Sequence, residues 1–141
     1  AANLAPNDYI VWGNLADAYY FGGKFEQVAN VTYKRALALV EQQLKVNSQD
    51  AEAMSFAAYF NARLGNRDAA FEYDERSREN EPDNIYVYYN SALVHAQFEQ
   101  TDSALDALER AVALDYQEDL LPLDPAFENL REEERFKQLV K

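Results

Sequence analysis

The sequence has 141 residues, enough for one domain with a hydrophobic core or for three to four helical hairpins. Apolar residues make up 48% of the chain and Gly and Pro occur only four times each, which favours a folded, helical protein over a disordered one. Thirteen basic residues against 25 acidic ones give a net charge of −12, which disfavours binding to nucleic acid or to an anionic membrane. A protein partner with neutral or basic segments fits this charge.

Several classes of site are excluded by residues that the sequence lacks. Without cysteine there is no disulfide framework, no thiolate metal site and no Cys nucleophile. The apolar runs are too short to span a membrane, and residues 1–6 lack the basic and apolar regions of a signal peptide, so we predict no membrane insertion. A cytoplasmic location is favoured, and a periplasmic one stays open if the natural chain has an upstream membrane span.

The chain repeats itself with a period of 34 residues. Residues 51–84 align with residues 85–118, and an earlier copy occupies residues 9–50. This first copy is eight residues longer, with one extra residue in the Gly22-Gly23 turn and seven in its second helix. Seven helical residues add about two turns, roughly 10 Å, and nearly preserve the buried face. We expect this face to continue through Leu37, Val40 and Leu44, with Val46 as a further candidate.

Each copy has the pattern of two helices joined by a tight turn. Small residues recur where the two backbones would approach each other, pairing Ala16 with Ala29, Ala58 with Ala70, and Ala92 with Ala104. Larger side chains would fill the space between helices, among them Trp12, Tyr19, Met54, Tyr88 and Leu108. Each first helix is preceded by a residue that can cap it, namely Asp8, Asp50 and Asn84.

These patterns resemble the tetratricopeptide repeat (TPR) family. The resemblance is carried by Trp12-x-x-Leu15-Ala16-x-x-Tyr19 with Ala29, Tyr33 and Ala36, and by Asn61-x-x-x-Gly65-x-x-x-x-Ala70 with Pro82-Asp83-Asn84. Departures are Asn61 and His95 where Tyr is usual, and Asp74 where an aromatic residue is usual. The resemblance implies one all-α domain over residues 1–141, a right-handed superhelical solenoid of helical hairpins with a short C-terminal helical cap.

Both ends of the chain differ from the repeats. Residues 1–8 are predicted to be the end of a preceding repeat, and residues 119–141 a C-terminal cap. In the cap, Asp124 can accept hydrogen bonds at a helix start with Pro125 in first position. Apolar contacts would follow from Phe127, Leu130, Phe136, Leu139 and Val140. This segment resembles the closing segment after repeat arrays in multidomain bacterial signalling proteins, where the repeats follow a kinase, cyclase or winged-helix domain.

No motif in the sequence indicates catalysis. The single histidine, His95, occupies the repeat position of Tyr19 and is predicted to pack at a helix interface. The run of acidic residues at 132–134 points in different directions around a helix and cannot chelate a metal as a unit. Gly22-Gly23 lacks the Lys-Ser/Thr that follows in a phosphate loop. No catalytic residue, metal site or cofactor is therefore predicted.

The TPR resemblance implies that certain first-helix positions line a concave groove. These positions are Ile10, Gly13, Asp17, Tyr20, Glu52, Ser55, Tyr59, Ala62, Tyr86, Tyr89, Leu93 and Ala96. Tyrosine supplies a large contact area at low entropic cost, as binding surfaces require. The candidate peptide-binding residues are therefore Tyr20, Tyr59, Tyr86 and Tyr89, with Asp17 and Asn90. We expect these tyrosines to lie apart from core aromatic residues such as Trp12 and Tyr88.

The best-known peptide site of the TPR family, a clamp of Lys and Asn that grips a C-terminal carboxylate, lacks its basic residues here. The matching positions hold Gly13, Asp17, Phe56, Tyr86 and Asn90. The sequence thus predicts a non-catalytic interaction module that binds a different peptide, or a helix, in its groove. The alternative is self-association, or intramolecular regulation of an attached signalling domain.

Overall fold

Residues 8–23 and 26–141, which the computed structural model describes, form α-helices and short 3₁₀ helices and contain no β-strand. Six longer helices come first: α1 (Tyr9–Gly22), α2 (Glu26–Val46), α3 (Ala51–Arg63), α4 (Arg67–Asn80), α5 (Ile85–Gln97) and α6 (Thr101–Ala113). Two 3₁₀ helices, Glu118–Leu123 and Pro125–Leu130, and α7 (Glu134–Leu139) follow. The predicted remnant of a preceding repeat at residues 1–8 lies outside the described residues, except for Asp8.

Side chains cap the first helix of each hairpin, as the sequence predicts. An oxygen of Asp8 accepts from the backbone N–H of Ile10 at 2.9 Å. Asp50 accepts from Ala53 at 3.0 Å, and Asn84 accepts from Tyr86 at 2.9 Å. These bonds satisfy N–H groups that have no partner within the helix, so they determine where α1, α3 and α5 begin.

The second and third hairpins are offset by 34 residues in the structure as well. Helices α3 and α5 have 13 residues each and begin at Ala51 and Ile85. Each ends in a left-handed residue, Gly65 with φ of 81° and Glu99 with φ of 57°. At both ends the next backbone N–H reaches back five residues, from Asn66 to the Asn61 carbonyl at 2.8 Å and from Gln100 to that of His95 at 2.9 Å. The same turn therefore closes both helices, although only one of them uses glycine.

Within each hairpin the two helices pack along alanine residues. Helix α1 packs on α2, α3 on α4 and α5 on α6, while α3 also contacts α2 and α5. The predicted crossing residues are buried, each at most 1% exposed: Ala16, Ala29, Ala58, Ala70, Ala92 and Ala104. Gly13 lies at another close contact, because a Cβ atom there would come within 2.7 Å of the Phe60 ring. Gly13 was expected to line the groove, and instead it packs against α3.

Helix α2 is longer than the second helices of the other two hairpins, and its buried face is shorter than expected. It runs for 21 residues to Val46. Val40 is fully buried, and Leu37 and Leu44 pack against the same core. Val46 is 85% exposed, so its expected burial is wrong. Packing of α2 against the core therefore reaches Leu44, and Val46 lies at the edge of a surface depression that Asp8 and Tyr9 also line.

The C-terminal segment covers the last hairpin. Asp124 accepts from the Ala126 N–H at 3.0 Å, with Pro125 in first position, as predicted. Phe127, Leu130 and Phe136 are buried, and the 3₁₀ helix Pro125–Leu130 packs on α5 while α7 packs on α6. Arg135 of α7 forms ion pairs with Asp102, Asp106 and Glu109, which lie on the exposed side of α6.

We expect Ala58→Leu to destabilise the fold by about 1–3 kcal/mol, because Ala58 packs with Ala70 and Val94 and leaves no room for three more carbons. Ala38→Leu is the matched control, since Ala38 is exposed on α2. Urea unfolding followed by circular dichroism measures both variants. Equal midpoints for the two would show that α3 and α4 do not meet at Ala58.

Phe127→Ala should cost about 3–5 kcal/mol, because the Phe127 ring is fully buried between the C-terminal segment and α5. The control is Leu123→Ala, in which a side chain that is 76% exposed is truncated, and its effect should stay within about 0.5 kcal/mol. Thermal unfolding compares the two variants with the parent chain. If Phe127→Ala melted with the parent, the segment would be a linker and not a cap.

Candidate binding site

Five of the six candidate residues line one cavity. Its volume is about 310 Å³, and its walls come from α1, α3, α5 and the segment that follows α6. We call it the tyrosine cavity and define it by Asp17, Tyr59, Tyr86, Tyr89, Asn90, Tyr116 and Asp124. Tyr20, the sixth candidate, lies with Arg63 in a neighbouring depression that is also bordered by Pro125 and Ala126.

The candidate residues differ widely in exposure, which the sequence did not predict. Tyr86 is 56% exposed, whereas Tyr59 is only 4% and Asn90 only 3% exposed. Tyr59 is therefore part of the hydrophobic core, and it is more buried than Trp12 or Tyr88, which were expected to be the core aromatic residues. The reason is the position of α3, which is enclosed by α2, α4 and α5.

Asp17 is held by two tyrosine hydroxyls from different helices. Tyr33 of α2 and Tyr59 of α3 both donate to its Oδ1 atom, the latter at 2.6 Å. Burial raises the pKa of Asp17 above its usual 3.8, although the two hydroxyls and the nearby Arg63 act in the opposite direction. The carboxyl of Asp17 thus joins three helices at one wall of the cavity.

Arg63 forms a second centre beside Asp17. Its Nε donates to the Tyr59 hydroxyl at 3.1 Å, and another nitrogen donates to Gln97. Its guanidinium carbon lies 4.5 Å from the centroid of the Tyr20 ring and 5.0 Å from that of Phe21. Sequence reasoning missed Arg63. The signal that could have found it is its spacing from Gln97, since residues one repeat of 34 apart occupy equivalent positions in neighbouring hairpins.

The C-terminal segment completes the cavity around Tyr89. The Tyr89 hydroxyl donates to Asp124, and its ring stacks on Tyr116 with the centroids 5.0 Å apart and the planes 14° apart. Phe127 meets the same ring edge-on at 5.9 Å. Asp124, predicted only as a helix cap, therefore also lines the cavity. Its second role could not be deduced from local sequence.

Asn90 is buried and hydrogen-bonded to a residue of the preceding hairpin. Its Nδ2 donates to the Ser55 hydroxyl at 2.9 Å, and that hydroxyl donates to the carbonyl of Glu52 at 2.7 Å. The bond joins α5 to α3 below the cavity. Asn90 borders the cavity, and one of its two N–H donors is occupied by Ser55 of the neighbouring helix α3.

Two of the residues that depart from the TPR pattern, Asp74 and His95, lie close together. Asp74 is buried, pairs with Arg78 at 3.1 Å and lies 3.6 Å from Nε2 of His95. Burial lowers the pKa of His95, while the charge of Asp74 acts to raise it. The His95 ring packs 5.2 Å from that of Phe71, so it lies at the contact between α4 and α5, as its repeat position predicts.

The described part of the chain holds no cluster of three or more His, Asp or Glu side chains arranged to bind a metal ion. None of its helices combines the length and hydrophobicity that crossing a membrane requires. No protein-family model matches the sequence, and comparison with curated proteins finds none that matches. The function proposed below therefore rests on the residues themselves.

Asp17→Asn should change how stability depends on pH, because Asp17 binds its proton more tightly in the folded chain. The stability that this proton contributes to the fold is fully present below the unfolded pKa of about 3.8. It is lost as the pH rises through the raised pKa of the folded chain. Asparagine cannot titrate. The free energy of unfolding of the parent chain, relative to Asp17→Asn, should therefore fall as the pH rises from below 3.8 toward neutrality.

The measurement is urea unfolding at a series of pH values, with Asp68→Asn as the control. Asp68 is exposed in the first turn of α4 and does not line the cavity, so its replacement removes the same formal charge at a site outside the cavity. A difference between parent and Asp17→Asn that rises with pH would contradict the assigned direction.

Proposed function

We propose that this chain is a non-catalytic protein-interaction module of the TPR type, a right-handed solenoid of helical hairpins that binds a peptide or helix in the tyrosine cavity. The observation that carries the proposal is the exposed aromatic and apolar surface at the mouth of a formed cavity. Tyr86 is 56% exposed, and Ile10 and Phe21 are each 38% exposed. All three line the cavity. Clustered apolar side chains at a concave site are typical of binding surfaces.

The repeat character of the chain supports the choice of a TPR-type module. The helices of the second and third hairpins begin 34 residues apart, and the crossing positions hold alanine in every hairpin. Stacked hairpins of this kind present their first helices side by side, here α1, α3 and α5. An extended peptide or one helix would lie across these three elements.

The cavity is largely pre-formed, which favours binding over a purely structural role. Hydroxyl-to-carboxylate bonds hold Tyr59 to Asp17 and Tyr89 to Asp124. Side chains fixed in this way lose little conformational freedom when a partner binds. Tyr86 is the one tyrosine of the set that projects into solvent, and so it is the natural first contact.

The alternative, self-association, is supported by two exposed valines on α2. Val28 and Val31, three residues apart on α2, are 43% and 67% exposed. Residues at this spacing lie on one side of a helix, so they could meet the same side of a second copy. Regulation of an attached signalling domain would use either surface in the same way. Binding that depends on Tyr86, and not on Val31, favours the peptide site.

Tyr86→Ala should weaken peptide binding by about 2 kcal/mol or more while leaving thermal stability nearly unchanged, because the ring is exposed and lines the cavity. Short random peptides selected on the intact chain by display, then labelled, supply the ligands for fluorescence anisotropy. Val31→Ala is the control. If selection enriched no peptide, or if Val31→Ala lost binding and Tyr86→Ala kept it, the cavity would not be the binding site. Light scattering across concentrations would then show whether the chain binds itself.

A further inference from the structure

The wall of the tyrosine cavity contains two carboxylates. Asp17 comes from α1 and Asp124 from the C-terminal segment, and the described residues that line the cavity include no Lys, Arg or His. Within the described residues neither carboxylate forms an ion pair; both are instead held by tyrosine hydroxyls. The two hydroxyls on Asp17 donate to the same atom, Oδ1, and Oδ2 receives neither of them. Negative charge is thus fixed in place at the cavity.

Because the wall carries these two carboxylates, we propose that the cavity receives the guanidinium group of an arginine side chain carried by the bound peptide. The inference rests on the proposed function and adds the chemistry that selects the partner. A positive charge in the cavity would face both Asp17 and Asp124, and it would offset the repulsion between their like charges. Because the surroundings are partly buried, this attraction is stronger than the same contact in water.

Arg63, whose positive charge acts on Asp17, does not already fill this role. Its nitrogens bond to the Tyr59 hydroxyl and to Gln97, and it borders the neighbouring depression instead of the cavity. Arg131 donates to the backbone carbonyl of Asp124 at 3.4 Å and does not line the cavity. Two carboxylates in the wall therefore leave net negative charge even with Arg63 close by.

The aromatic walls favour arginine over lysine. Phe56, Tyr86, Tyr89 and Tyr116 all line the cavity. A planar guanidinium stacks on such rings and donates to carboxylates in a fixed fork, whereas an ammonium is a compact and strongly hydrated charge. Arg63 shows the same chemistry within this chain, since its guanidinium carbon lies 5.0 Å from the Tyr59 ring centroid. A volume of about 310 Å³ is at the lower end for ligand pockets and suits one side chain.

The first experiment uses a probe that needs no knowledge of the partner. N-acetyl-arginine amide is titrated into the ¹⁵N-labelled 141-residue chain, with N-acetyl-citrulline amide as the uncharged analogue of the same shape and N-acetyl-lysine amide as the second cation. We expect the arginine compound to shift amide signals of α1, α3, α5 and residues 116–126, the lysine compound to do so more weakly, and citrulline to have no effect. Equal shifts with arginine and citrulline, or no shifts with arginine, would overturn the proposal.

The second experiment tests the carboxylates. Asp17→Asn keeps the one oxygen that accepts from both Tyr33 and Tyr59. Asp124 accepts from the Ala126 N–H through Oδ1 and from Tyr89 through Oδ2, so Asp124→Asn keeps the helix cap and places its NH₂ group beside the Tyr89 hydroxyl, which can turn to accept from it. Both variants should therefore fold. Each should weaken binding of the arginine compound by about tenfold or more, as expected for a close charge pair. Asp68→Asn removes an exposed carboxylate from α4 and should leave binding unchanged. Equal affinities for all three variants would overturn the assignment of Asp17 and Asp124.

The selected peptides separate this inference from the proposed function. Peptides that require Tyr86 and lose at least about tenfold in affinity when one arginine becomes citrulline support both. Peptides that require Tyr86 but tolerate citrulline leave the interaction module in place and overturn the arginine site. If selection yields no peptide while N-acetyl-arginine amide binds through Asp17, the guanidinium site stands and the peptide-binding function fails.

Discussion

The close packing of helices around α3 is the constraint on which the rest of the structure depends. Eleven of the 13 residues of α3 are buried, because α2, α4 and α5 all lie against it. A helix can be enclosed in this way only if many of its side chains are small, and five of the 13 are alanine. The crossing residues of the neighbouring helices, such as Ala70 and Ala92, meet the same requirement.

Enclosure of α3 also creates the polar chemistry of the site. The larger side chains of α3, Tyr59 and Arg63, carry polar groups into a buried region, where each must find a partner. Tyr59 donates to Asp17 on α1, and Asp17 also accepts from Tyr33 on α2. Arg63 donates to Gln97 on α5. The network therefore joins the hairpins to one another, and it leaves a carboxylate at the wall of the cavity.

The C-terminal segment links stability to the site. Phe127 and Leu130 cover apolar surface on α5, and the same segment places Asp124 beside Tyr89. A cap made of another sequence could protect the last hairpin equally well. It would not supply the second carboxylate, nor Tyr116 to stack on Tyr89. In this chain the part that closes the fold also contributes half of the charge in the cavity.

Local pattern alone determined the helix starts at Tyr9, Ala51 and Ile85, because capping acts between residues that are close in the chain. Periodicity and residue size likewise determined the 34-residue offset, the alanine residues at the helix crossings and the burial of Phe127. The TPR resemblance, and not the local pattern, suggested that Asp17, Tyr59, Tyr86, Tyr89 and Asn90 share one surface, and these five residues line the cavity. Only the tertiary structure decided that Tyr59 is buried while Tyr86 is exposed, that Val46 is exposed, and that Asp124 meets Tyr89. The exposure and the charge partner of a side chain depend on which distant segment packs over it, and no short stretch of sequence contains that segment.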